Sequence, residues 1–191
     1  MMATGIARVI CFVFPCVVVA RANAEELQLT LRSDKNYYTV GEKIKFEVVY
    51  TNRSSHPIWL LPQTESYPVD ALSIKKVGDR RRPEKLRLGE QSVAWEGLAE
   101  QAVRVKPGAK IQRLLEAELR SDLPSTYAER NGGIFLVFPG SAVRLRGAGD
   151  YEVRAVFHSS PNHPVNRYLP TGAHLWRGDV MSNPISIRIS Q

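Results

Sequence analysis

The stretch Leu145–Ser159, Leu-Arg-Gly-Ala-Gly-Asp-Tyr-Glu-Val-Arg-Ala-Val-Phe-His-Ser, constrains the fold more than any other part of the chain. Glycines 147 and 149 predict a turn. Beyond them Tyr151, Val153, Ala155 and Phe157 alternate with Glu152, Arg154, Val156 and His158. A period of two places one set on a buried face and the other largely toward solvent, so the stretch predicts a long half-buried β-strand.

The same alternation recurs along the chain. Leu27, Leu29 and Leu31 alternate with Gln28, Thr30 and Arg32, and Ile44, Phe46, Val48 and Tyr50 share one face of a strand over 43–51. Ile58–Leu61 lies between Pro57 and Pro62 and predicts a short strand with Trp59 as a core residue. Strands are also expected over 69–77 and 134–138, and at the end of the chain over 184–189. Short strands are expected over 85–88, 92–95, 102–105, 111–115 and 143–146. Residues 116–122 predict one helical turn, stopped before Pro124. Short strands punctuated by Gly, Pro and Asn turns indicate an all-β sandwich or barrel.

Residues 1–24 carry a different signal. Arg8 closes a short basic region, Val9–Val19 is almost uninterruptedly apolar, and Ala22-Asn23-Ala24 offers a small-x-small cleavage pattern. Together these predict a secretory signal peptide removed before Glu25, with cleavage after Ala22 as a close alternative. The apolar run is short for a membrane span and no second one follows, so no stable span is expected after processing. Removing 24 of 191 residues leaves 167, the size of one domain over 25–191. Both cysteines, Cys11 and Cys16, lie in the leader, so the exported chain holds its core without disulfides. Arg8 and Arg21 leave with it, so 24 Lys and Arg face 19 Asp and Glu, a net +5. That excess favours an anionic envelope component as partner. The basic residues are scattered, and an exported protein rarely meets nucleic acid, so no nucleic-acid partner is expected.

Three features carry a resemblance to a known class. They are Tyr-x-x-Gly-Glu-x-Ile-x-Phe at 38–46, the Gly-x-Tyr approach at 149–151, and the closing Leu-Trp-Arg-Gly-Asp-Val-Met-Ser-Asn-Pro-Ile-Ser-Ile at 175–187. Together they resemble exported bacterial immunoglobulin-like domains and, more distantly, the proteinase-inhibitor proteins of that sandwich class. The resemblance implies an antiparallel two-sheet immunoglobulin-like sandwich of about seven to nine strands. In that class a Tyr at the start of strand F bonds back to upstream backbone, the tyrosine corner, and here Tyr151 takes that place. The expected core contains Leu29, Phe46, Val48, Trp59, Tyr151, Val153, Ala155 and Ile187.

The chemistry-bearing candidates are few. Residues 159–178 form a loop well beyond hairpin length, stiffened by Pro161, Pro164 and Pro170 and carrying Tyr168, Trp176 and Arg177. Tyr, Trp and Arg are the usual anchors of recognition surfaces, so these three are the candidate partner-binding residues. The alternative is that Tyr168 and Trp176 fold back to cover the sandwich. His158, His163 and His174, with Asp179, offer zinc-type donors, but their spacing matches no ligand motif, and no metal or cofactor is assigned. Arg80-Arg81-Arg82 suits phosphate or carboxylate groups, or simply a solvated turn. Asn52-Arg53-Ser54 fits a glycosylation acceptor. No Gly-x-Ser-x-Gly elbow is present and no cysteine survives processing, so no catalytic residue is assigned. The sequence therefore points to a non-catalytic exported module, periplasmic or secreted, that binds or scaffolds by presenting loops. The alternative is a proteinase inhibitor acting through the 159–178 loop. The oligomeric state is not legible.

Overall fold

The computed structural model describes residues 26–61, 71–87, 102–121, 133–159 and 167–191. The expected leader and the expected strand at 92–95 lie outside the described residues. So do 160–166, which include His163, Pro161 and Pro164. Among the described residues there is no α-helix, and none long and apolar enough to cross a membrane. The strands are β1 (Leu27–Ser33), β2 (Tyr37–Thr39), β3 (Lys43–Asn52), β4 (Ile58–Leu60), β5 (Ala71–Lys76), β6 (Glu84–Arg87) and β7 (Val103–Val105). They continue with β8 (Lys110–Arg120), β9 (Ile134–Phe138), β10 (Ser141–Leu145), β11 (Gly149–Ser159), β12 (Gly178–Met181) and β13 (Ile185–Ser190).

Three sheets result. One runs β1-β3-β8-β9-β10, a second runs β2-β13-β11-β5-β6 with β12 also paired to β11, and β4 pairs with β7. Every pair is antiparallel except β13 with β2. The long strand foreseen at 145–159 is β11, and it is central, paired with β5, β12 and β13. Its odd-numbered residues from Tyr151 to Phe157 are all buried. Leu27, Leu29 and Leu31 of β1 and Ile44, Phe46, Val48 and Tyr50 of β3 are buried as well, and one apolar cluster unites them with β11. Tyr50 of β3 meets Phe157 of β11 edge to face at 5.5 Å, tying the two larger sheets together.

The turn chemistry foreseen around Tyr151 is present. Gly147 adopts φ 75, a left-handed conformation that a side chain disfavours, and the Tyr151 hydroxyl donates to its carbonyl oxygen at 2.5 Å. A second tyrosine does comparable work at the same end, across β13. Tyr38, fully buried, donates its hydroxyl to Asp34 Oδ1 at 2.6 Å and accepts from the Lys35 N–H at 3.1 Å. Burial, with the Asp34 carboxylate second, pushes the Tyr38 phenol up to about 12.

Three expectations are corrected. Thirteen strands among the described residues replace seven to nine; β2 and β12, of three and four residues, are too short to show a period of their own. Residues 116–120 are not a helical turn but the second half of β8. Leu115, Ala117 and Leu119 are buried there between exposed Glu116 and half-buried Glu118, and the pairing of Lys43 with Glu118 and Ile44 with Ala117 extends β3 alongside. Trp59 is half-buried rather than a core residue. Its flanks Ile58 and Leu60 turn inward, so the pleat aims Trp59 at a small satellite cluster with Leu61, Leu169 and Leu175.

Candidate functional site

The end of the long loop, residues 167–178, is braced at three points. Trp59 donates its N–H to the His174 carbonyl at 2.8 Å, and Trp176 returns the bond to the Trp59 carbonyl at 3.0 Å. This continues the β4–β7 ribbon by one parallel bridge, Trp59 to Leu175. Leu169 and Leu175 pack in the satellite cluster. A turn closes between them, where the Ala173 N–H meets the Pro170 carbonyl at 2.9 Å.

Of the two roles open to the loop aromatics, Trp176 takes the covering one. Its ring is 1% exposed and lies tilted against Phe157 at 5.4 Å. It is therefore withdrawn from the candidate binding surface: burying so large an apolar ring outweighs displaying it. Tyr168 remains 46% exposed beside buried anchors, and Arg177 is half-buried.

The histidines divide differently from the grouping weighed in the sequence. His158 and Asp179 face each other across β11 and β12 and bond through Nδ1 and Oδ1. His174 is elsewhere, with two residues the sequence did not single out, Glu26 and His56. One ligand atom from each of these three lies within 4.8 Å of the others. Glu26 Oε1 is 3.9 Å from His56 Nε2, and Glu26 Oε2 is 3.6 Å from His174 Nε2. The two imidazoles meet edge to face at 4.7 Å.

The turn after β3 and the start of β4 set all three in place. Asn52 Nδ2 and Ser54 Oγ both donate to the His56 carbonyl, at 2.9 and 2.7 Å. The Arg53 N–H donates to the Glu26 carbonyl at 2.6 Å, and Trp59 holds His174 as described. Asn52 is fully buried, with its second Nδ2 bond to the Val105 carbonyl at 2.9 Å. Both amide hydrogens are committed, so the folded chain offers no glycosylation acceptor here. In sequence, the signal for this cluster was slight: pairing Leu27 with Asn52 brings Glu26 beside the turn, but nothing local brings His174.

The arginine run lies in the exposed turn after β5. Arg81 lines a cleft of about 860 Å³ with Arg144, Arg146 and Glu84. Arg146 is already engaged, at 2.5 Å to Asp79 and 2.8 Å to Glu84. The Glu84 hydrogen bond chiefly, and Asp79 beside it, raise the Arg146 guanidinium above its ordinary range. The cleft is thus partly neutralised from within, and no anion is assigned to it.

No protein-family model matches the chain, and no curated protein matches it. Similar solved structures include the β-glucosidase EmGH1 from Erythrobacter marinus, at 14% identity and TM-score 0.41, covering 86% of this chain and 15% of that one. The alkylpurine DNA glycosylase AlkC of Pseudomonas fluorescens gives 11% identity and TM-score 0.44, covering 87% and 31%. A β-glucosidase from Listeria innocua gives 11% and 0.39, covering 87% and 16%. The chain spans less than a third of each of these proteins. Likeness at this level assigns neither family nor activity.

Proposed function

We propose that the chain is an exported, non-catalytic binding or scaffolding module. In this reading an immunoglobulin-like sandwich presents the Tyr168 end of its long loop to a protein or an anionic envelope component. The Tyr151–Gly147 bond and the Tyr50–Phe157 contact between the larger sheets support the sandwich, and residues 1–24 support export. The observation that carries the function is the contrast within 167–178. Backbone bonds to Trp59, the Leu169 and Leu175 contacts and the buried Trp176 ring fix the segment, while Tyr168 keeps 46% of its surface exposed. A surface ordered before binding loses little conformational entropy on contact, and a rigid aromatic is the anchor such surfaces use. The inhibitor alternative needs an extended strand for a protease cleft. Residues 170–173 are a closed turn instead, so that reading rests on 160–166, and a protease panel separates the two.

The test compares wild type with Tyr168→Ala in capture from envelope extract, with a melt on each protein. The expected result is capture weakened by about 2 kcal/mol or more, with the thermal transition nearly unmoved. Equal capture by both proteins contradicts the assignment of Tyr168.

A further inference from the structure

We propose that Glu26, His56 and His174 form a binding site for a divalent first-row metal ion of the zinc class. Two imidazoles and one carboxylate are a donor set that suits zinc, with a fourth position left for water. The distances fit a metal as well as a plain ion pair. Glu26 Oε1 stands 3.9 Å from His56 Nε2 and Glu26 Oε2 stands 3.6 Å from His174 Nε2, too far for hydrogen bonds of about 2.7–3.2 Å. Ligands about 2.0–2.2 Å from a tetrahedral ion lie about 3.3–3.6 Å apart, so the three ligand atoms, within 4.8 Å of one another, draw in slightly around the ion.

An independent sign is Glu26 Oε2, which is buried and has no hydrogen-bond partner. A buried carboxylate oxygen left so is costly, and a cation relieves that cost. The site is also built. The carbonyls of all three residues are held by the 52–59 segment, through Asn52, Ser54, Arg53 and Trp59. Three distant parts of the chain therefore converge without the ion. The imidazoles remain 43% and 46% exposed, which leaves an approach for the metal. Bound there, the ion clips the start of β1 and the β3–β4 turn to the loop that carries Tyr168, and so stabilises that loop. The assignment stands apart from the Tyr168 surface, since it shares no side chain with it.

The experiment uses tag-free protein, stripped with a chelator and titrated with zinc chloride by calorimetry, with a melt before and after. One equivalent of Zn²⁺ is expected to bind and raise Tm, because a ligand held by the folded state alone stabilises it, while Mg²⁺ does neither. Co²⁺ in its place is expected to give the visible absorption of a tetrahedral site. Glu26→Gln, His56→Gln and His174→Gln are each expected to weaken Zn²⁺ by more than about tenfold. His158→Gln, outside the site, is expected to bind like wild type. Each protein's rise in Tm is read against its own metal-free melt, which separates lost binding from lost stability. Absence of saturable binding overturns the proposal. So does binding that survives undiminished in Glu26→Gln and His174→Gln.

Discussion

Replacing Trp176 with Ala tests the packing that organises the candidate surface. The ring is 1% exposed and rests on Phe157, which in turn contacts Tyr50 of the facing sheet. A buried Trp removes about 150–250 Å² from water, which at about 25 cal/mol per Å² is about 4–6 kcal/mol. Ala keeps Cβ and the surroundings relax, so the expected loss is about 3–5 kcal/mol, the range for large aromatic truncations. For a chain of this size each kcal/mol moves Tm by about 2–4 °C, which places the variant about 6–20 °C below wild type. Trp176→Phe keeps a ring against Phe157 and should lose less than half as much. Urea melts followed by far-ultraviolet circular dichroism give both numbers. A loss under about 1 kcal/mol for Trp176→Ala would refute the claim that this ring seals the core.

Other outcomes follow from the same contacts. Tyr151→Phe leaves the Gly147 carbonyl without its hydroxyl donor and should cost about 1–1.5 kcal/mol in the same melts; an unchanged midpoint would mean the bond contributes nothing. Tyr38 ionises near 12 in the folded chain, against about 10 unfolded. Its contribution to stability is thus fully present below pH 10 and lost as pH rises from about 10 to about 12. Ultraviolet titration should show one late-titrating phenol fewer in Tyr38→Phe than in wild type. Gly147→Ala forces a side chain into φ 75 and should cost about 1–2 kcal/mol, read as a lower urea midpoint.

The long strands were legible because alternation over many residues has one reading: β1, β3, β11 and β13 are where Leu27, Ile44, Tyr151 and Ile187 indicated. The second half of β8 was missed because Leu115, Glu116, Ala117, Glu118 and Leu119 are individually good helix formers. Their alternation agreed with a strand, and pairing with β3 decided the matter. Which tryptophan enters the core was not legible at all. Trp59 and Trp176 look alike in sequence, and their fates are set by a bridge between residues far apart in the chain. The Glu26, His56 and His174 cluster has the same origin. His158 and His174 look closer along the chain, yet His158 is committed across β11 and β12 to Asp179.

If the loop end is fixed before any partner arrives, native-state hydrogen exchange reads it residue by residue. The amides of Trp59, Ala173 and Trp176, all bonded in the structure, are expected to exchange orders of magnitude more slowly than an unstructured chain. Trp176 should approach the protection of β11. Exchange at the unstructured rate across 167–178 would contradict it, because a floppy loop presents no preformed surface.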